Sequence, residues 1–303
     1  MVPRLQSLSY RGVGNRRGFA LVTILWGVAL LSLIAAAVLS ASVTVRRTSH
    51  VALQQAQAEA LAEAAINGAI LSLLDPKVSN RPRLDGTPYV LTFAAIPIKV
   101  SVQDEYGRID LNTADGATLI KLFTSVGLTP EEATSISDKI EDWRESGAGK
   151  RLNGATAADY QAAGYQYGPR RNPFQRVDEL KLVMGVTADL FLKVAPALTV
   201  YSHQPTIELM TAPREVLLAV SLPNGESVDQ FIAKRAGTES AASSGTPNAN
   251  PAAAIDLTDR PCSIRVEVPL TTGGVYRREA VIRFTDDPQQ PFLIQNWQEA
   301  WPG

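Results

Sequence analysis

The stretch RRGFALVTILWGVALLSLIAAAVLSASVTVRR, residues 16–47, decides how this chain is read. About 20 helical residues cross a hydrocarbon layer of about 30 Å. The uncharged run from Phe19 to Val45 is therefore long enough to span a membrane. Arg4, Arg11, Arg16 and Arg17 precede it, and such a leader favours a cytoplasmic N-terminus with the bulk of the chain exported. Arg46 and Arg47 on the far side act against that bias. A cleavable secretory signal is the alternative, with Val38-Leu39-Ser40 as its cleavage site, but the apolar part of such signals ends at about 15 residues.

Outward from the span, no proline occurs before Pro76, and Ala58, Leu61, Ala62, Ala65, Ile66, Ala69, Ile70 and Leu73 recur at helical spacing. One helix is expected to run from the span to Asp75-Pro76, where proline stops the hydrogen-bond ladder. Tyr89 to Val102 reads as one or two strands with Pro97 at an edge or turn. Ile264–Val268 and Arg277–Phe284 read as a hairpin around Thr271-Thr272-Gly273-Gly274. Between these strands lie helical patterns at 117–126, 130–144, 177–184, 187–195 and 213–220, which makes a small sheet with a helical insertion, an α+β architecture. Ile109-Asp110-Leu111-Asn112-Thr113-Ala114-Asp115 recurs as Ile207-Glu208-Leu209-Met210-Thr211-Ala212-Pro213, each copy ahead of a helix, with Thr113 and Thr211 expected as N-caps. Ser240 to Ala254, made of small residues, proline and asparagine, has the composition of a flexible loop.

Composition removes several function classes. The 29 basic and 30 acidic residues nearly cancel, so no global field draws the chain to nucleic acid. Cys262 is the only cysteine, which excludes an intramolecular disulfide and a thiolate-rich metal site. His50 and His203 are far apart and form no paired-ligand motif. No G-x-S-x-G, Walker or G-x-G-x-x-G signature is present, and Glu141-Asp142, adjacent on a helix, point about 100° apart. The chain is read as no enzyme.

Arg16-Arg17-Gly18-Phe19 followed by an apolar helix resembles the type IV prepilin leader. That resemblance implies cleavage by a prepilin peptidase between Gly18 and Phe19 and N-methylation of Phe19. Most pilin-like proteins carry glutamate at the fifth mature position, where this chain has Thr23. Its absence, with the opening GFALVTILWGVALL and the blocks Asp104–Ala114, Glu141–Arg144 and Asn172–Leu180, is similar to the K-type minor pseudopilin of type II secretion systems, the general secretion pathway protein K family. The resemblance implies a tip subunit that joins I-type and J-type minor pseudopilins above the major pseudopilin, in a single-pass inner-membrane protein with a periplasmic bulk. It further implies a pilin-like antiparallel sheet docked on the long helix, with a large helix-hairpin-helix or SAM-like insertion. On this reading residues 1–18 are the leader, 19–45 the span and 46–108 the rest of the helix with the first strands. Residues 109–236 are the helical insertion with its internal repeat, and 237–303 the loop and closing strands.

This chain departs from that family in the loop Glu145-Ser146-Gly147-Ala148-Gly149-Lys150, which holds one carboxylate where relatives often have an acidic loop. Some members bind calcium, a cation that takes about six to eight oxygen ligands. No cofactor is required by the reading, and neither this loop nor Asp286-Asp287 is assigned as a metal site. Two rivals stand beside it. One is a minor pilin of a type IV pilus. The other is a membrane-anchored helix-hairpin-helix DNA-binding protein, suggested by Val126-Gly127-Leu128, although Gly127 and Gly185 stand alone and acidic residues crowd the region. No nucleic-acid partner is expected.

Overall fold

The computed structural model describes residues 17–77, 80–147, 149–243, 255–271 and 273–299. Helix α1 runs from Arg17 to Leu73 and divides between two compact units, the boundary falling between Gln57 and Ala58. The first unit holds the apolar part. Ala20–Ala37 has a mean hydropathy of 2.4, and every side chain in it is exposed, including Leu25, Trp26 and Leu31. By length and composition this helix can cross a membrane.

In the second unit the rest of α1 buries Ala58, Ala62, Ala65, Ile66, Ala69, Ile70 and Leu73, one stripe of an amphipathic helix. It ends where expected: the Asp75 carboxylate accepts from Lys77 N (2.8 Å) and Asn80 Nδ2 (3.0 Å) just past the last turn. The stripe meets one face of a five-stranded antiparallel sheet of β1 (Tyr89–Phe93), β2 (Ile96–Asp104), β5 (Pro261–Pro269), β6 (Val275–Phe284) and β7 (Phe292–Glu299), arranged in that spatial order. Ile98, Val100, Ile264, Val266, Ile282 and Phe284 supply the sheet side of this core. Each such side chain taken fully out of water contributes about 1.5–3 kcal/mol.

The opposite face is polar and ordered by register. Lys99, Glu267 and Arg277 stand opposite one another on three strands, bonded at 3.4 and 3.2 Å, and Arg265 pairs with its cross-strand partner Glu279 at 3.4 Å. Pro97 lies in β2 beyond the stretch that β5 pairs, which begins at Lys99, so its missing N–H costs no bond to that neighbour. The β1–β2 turn is made by Ala94 and Ala95 at φ 49° and 63°, a left-handed pair without glycine or asparagine. Strand β7, which carries a bulge against Val281/Ile282, was not foreseen from the sequence.

The chain leaves the sheet after Asp104 and returns at Pro261. Asp104 and Cys262 are ladder partners, so the whole excursion starts and ends at one rung. Within it, β3 (Ile109–Asp110) and β4 (Leu198–Thr199) form a two-residue parallel pair, and helices α2 (Gly116–Ser125), α3 (Pro130–Arg144), α4 (Ala157–Ala162), α5 (Ala188–Val194), α6 (Arg214–Ala219) and α7 (Val228–Ser243) surround a second core. Leu119, Phe123, Ile140, Trp143, Tyr160 and Phe191 are its large members. Residues 177–182 form a 3-10 helix where an α-helix is expected.

Two turns repeat one design. In Val126-Gly127-Leu128-Thr129 and Met184-Gly185-Val186-Thr187 the glycine has φ of 105° or 97°, which only glycine adopts without strain. The threonine then caps the next helix, accepting from Glu132 N (3.3 Å) or Leu190 N (3.2 Å). Helix α7 continues through residues 240–243, which the composition assigns to a loop; residues 244–254 lie outside the described residues.

Candidate functional site

The site residues expected from the sequence lie first on the apolar helix. Gly18 and Phe19 are helical in backbone, within α1, and the leader ahead of Arg17 lies outside the described residues. Thr23 is exposed, and its hydroxyl donates to the Ala20 carbonyl at 2.9 Å. A polar group with a partner inside its own helix can lie in hydrocarbon at little cost, whereas a carboxylate at this position would carry a charge into it.

The three sequence blocks of the helical region come together in space. The Asn112 side chain exchanges both its hydrogen bonds with the backbone of Phe174, accepting from N at 2.7 Å and donating to O at 2.9 Å. Arg144 donates to the carbonyls of Leu111 (2.7 Å) and Ala114 (2.8 Å). Buried Asp110 accepts from Asn112 N (2.7 Å), Ser202 Oγ (3.1 Å) and His203 N (2.8 Å). Asp104–Ala114, Glu141–Arg144 and Asn172–Leu180 thus form one polar-backed hub, in which Asp110, Asn112 and Arg144 are each engaged in hydrogen bonds.

Thr113 and Thr211 are not the N-caps expected. Asp115 caps α2, accepting from Thr118 N at 2.8 Å, because it sits one position before the first helical residue, as a cap must. Helix α6 starts at Arg214, with Pro213 in the N-cap position and no side-chain cap. The threonines serve as long-range ties: Thr113 Oγ1 donates to Gln204 O at 2.8 Å, and Thr211 Oγ1 donates to Asp104 Oδ2 at 2.8 Å. The internal repeat is nonetheless structural. Asp110 and Glu208 each accept the N–H two residues on, at 2.7 and 3.2 Å.

Thr211 belongs to a junction where the helical excursion is fastened to the sheet. Asp104, with no exposure, also accepts from Tyr106 N (3.1 Å) and from Arg260 Nη1 (3.0 Å). Gln103 Nε2 donates to Thr211 O at 2.8 Å. Gly107 lies so close to Thr211 that a Cβ there would sit 2.6 Å from its carbonyl carbon and oxygen. Arg235 of α7 donates to the carbonyls of Met210 (3.2 Å) and Ala212 (2.9 Å) and pairs with Asp85 at 2.8 Å. Burial pushes the Asp104 carboxyl up to about 6, against the opposing charge of Arg260. Burial also acts to raise Asp85, but bonds from Arg83 and Thr87 and the charge of Arg235 outweigh it and hold that carboxyl below its ordinary value. Cys262 is fully buried beside Asp104, and burial pushes its thiol well above the ordinary range, which leaves it inert. Sequence reasoning missed this junction, and only the repeated threonine hinted at it.

The carboxylates on either side of Trp143 converge on a guanidinium. Arg151 pairs with Glu141 through Nε, with Asp142 at 3.5 Å and with Glu145 at 2.8 Å, while Arg171 donates to the carbonyls of Gly147 (3.2 Å) and Gly149 (3.1 Å). Asp287 accepts from Gln289 N at 2.8 Å within its own turn. The two glycine turns carry no basic cluster: α3 holds Glu131, Glu132, Asp138, Glu141 and Asp142 against Lys139 and Arg144.

Residues 101–203 match the sequence family described as type II secretion system (T2SS), protein K. A type II secretion system protein K of Klebsiella pneumoniae is 29% identical over 106 residues, which are 34% of this chain and 32% of that protein. The chain thus matches about a third of that relative's length. A solved structure, the GspK-GspI-GspJ complex of the enterotoxigenic Escherichia coli type 2 secretion system, contains a chain aligned over 82% of this one and 95% of its own length, with 17% identity and a TM-score of 0.49.

Proposed function

We propose, from the match of residues 101–203 to the protein K family of type II secretion systems, that this chain is a minor pseudopilin. It is anchored in the bacterial inner membrane by α1, with its N-terminus cytoplasmic and its bulk on the export side. At the tip of a pseudopilus it caps or initiates assembly with I-type and J-type minor pseudopilins. Its work is mechanical and interfacial, without catalysis and with no required cofactor.

The family match carries this reading. The apolar helix supports it, since the Thr23 hydroxyl is satisfied within its own turn and the span needs no neighbour's amine to neutralise a carboxylate. The helical excursion supports the tip position, because a bulky domain on one strand end would obstruct a subunit added above it. The saturated hub around Asn112 and Arg144 favours a scaffold over a reactive site.

Intact mass and N-terminal sequencing of the chain, expressed with and without a prepilin peptidase, test the class. A product starting at N-methylated Phe19 only when the peptidase is present is the expected result. An uncut chain, or one cut near Ser40, would sink the proposal. Co-purification of a stoichiometric complex with I-type and J-type subunits then tests the position.

A further inference from the structure

The two glycine turns of the helical region border an open groove of about 360 Å³ between α3 and the N-terminal end of α5. Leu128, Ile136 and Leu190 form its apolar wall, and Ser135 and Thr187 stand at its rim. Lys139 enters from the middle of α3, half-buried. Gly185 gives it room: a Cβ there would sit 3.7 Å from the Lys139 ammonium nitrogen and 3.8 Å from Ile136 Cγ1, and the φ of 97° disfavours any side chain.

Among the described residues the ammonium has no counter-ion within ion-pair distance. Among the described residues no carboxylate or carbonyl bonds Lys139, although acids are near. Glu132, which also lines the groove, is held in the capping box by Thr129 N (3.0 Å) and Thr129 Oγ1 (3.1 Å). Asp138 accepts from Asn153 N and Nδ2, both at 3.0 Å, and the neighbouring Lys150 is already paired with Asp159 at 2.8 Å. Burial and the like charge of Lys150 hold the Lys139 pKa below its ordinary value, so an anion brought here gains from relieving an existing cost.

We propose that this groove is a docking site for a segment of a partner protein in which an acidic side chain is flanked by apolar ones, the carboxylate on Lys139 and the apolar groups on Leu128, Ile136 and Leu190. Charge complementarity selects the occupant. One ammonium on an apolar wall suits one carboxylate, whereas the five acidic residues of α3 repel a polyanion such as a nucleic-acid backbone. The site lies on the helical region and holds whether or not the chain sits at a tip.

The test uses the full chain in detergent micelles, with lysines reductively ¹³C-methylated and read by NMR, and a blocked leucine–glutamate–leucine peptide as probe. The peptide is expected to raise the titration midpoint of the Lys139 signal. Lys139→Met should weaken binding about tenfold or more, Lys139→Arg should retain it, and the glutamine version of the peptide should bind as weakly as Lys139→Met does. Retained binding in Lys139→Arg separates loss of the charge from loss of the fold. An unmoved Lys139 signal, or equal binding of the glutamate and glutamine peptides, overturns the proposal. Lys139-dependent binding of duplex DNA in place of the peptide also overturns it and gives the groove to a phosphate partner.

Discussion

Replacing Asp104 by asparagine should flatten the pH dependence of stability, and the size of the effect follows from the junction. Asp104 is fully buried, and its pKa rises from 3.8 to about 6. A folded-state carboxyl with a raised pKa binds its proton more tightly than in the unfolded chain, so stability falls as pH rises through the window from 3.8 to about 6. At about 1.4 kcal/mol per pH unit the full swing is about 3 kcal/mol, of which about 2 kcal/mol is recovered on acidification from neutral pH to about 4.5. Urea unfolding of the purified chain in detergent, followed by tryptophan fluorescence, measures it for the native chain and for Asp104→Asn. Taking the difference between the two curves cancels the other titrating groups. The native chain should gain about 2 kcal/mol on the variant between neutral and mildly acidic pH. A flat difference would refute the dominance of burial, and the opposite sign would mean that the Arg260 ion pair outweighs it.

Gly107→Ala places a methyl group against the Thr211 carbonyl and should cost about 1–3 kcal/mol in a thermal or urea melt. Arg235→Met removes the donor to the Met210 and Ala212 carbonyls and leaves buried Asp85 with Arg83 as its one remaining cation among the described residues, so a loss of about 3 kcal/mol and faster proteolysis between α6 and β5 are expected. Conversely, the paired change Ala94→Asn and Ala95→Gly gives the β1–β2 turn the residues its positive φ values favour and should raise the melting midpoint by the equivalent of about 1 kcal/mol.

Much of the architecture could be read from local signals. The alanine-rich stripe of α1, its stop at Asp75-Pro76, the β5–β6 hairpin and the bounds of α3 all follow from spacing, proline and capping within a few residues. Strand β7 escaped because the bulge beside Val281/Ile282 breaks the two-residue alternation that marks a strand. Thr113 and Thr211 were misjudged because capping is decided by the one residue at the helix boundary, and Asp115 and Pro213 occupy it. The junction could not be assembled from the sequence: Asp104, Thr211, Arg235 and Arg260 meet only in three dimensions, and the repeat that contains Thr211 does not point to the other three.

The single rung at Asp104 and Cys262 determines how the protein carries load. Partner residues on an antiparallel ladder lie about 5 Å apart, so the helical region that begins after Asp104 leaves the sheet as a side branch. Tension between β2 and β5 has a direct path through their own ladder and need not pass along the chain of the branch. A branch in parallel can be enlarged, reshaped or locally melted while the ladder keeps its register. A pull applied to the branch reaches the sheet through the junction, where Arg260 and Thr211 meet Asp104 and Gln103 bonds the Thr211 carbonyl, and through Arg176, which donates to Gln298 of β7 at 2.6 Å.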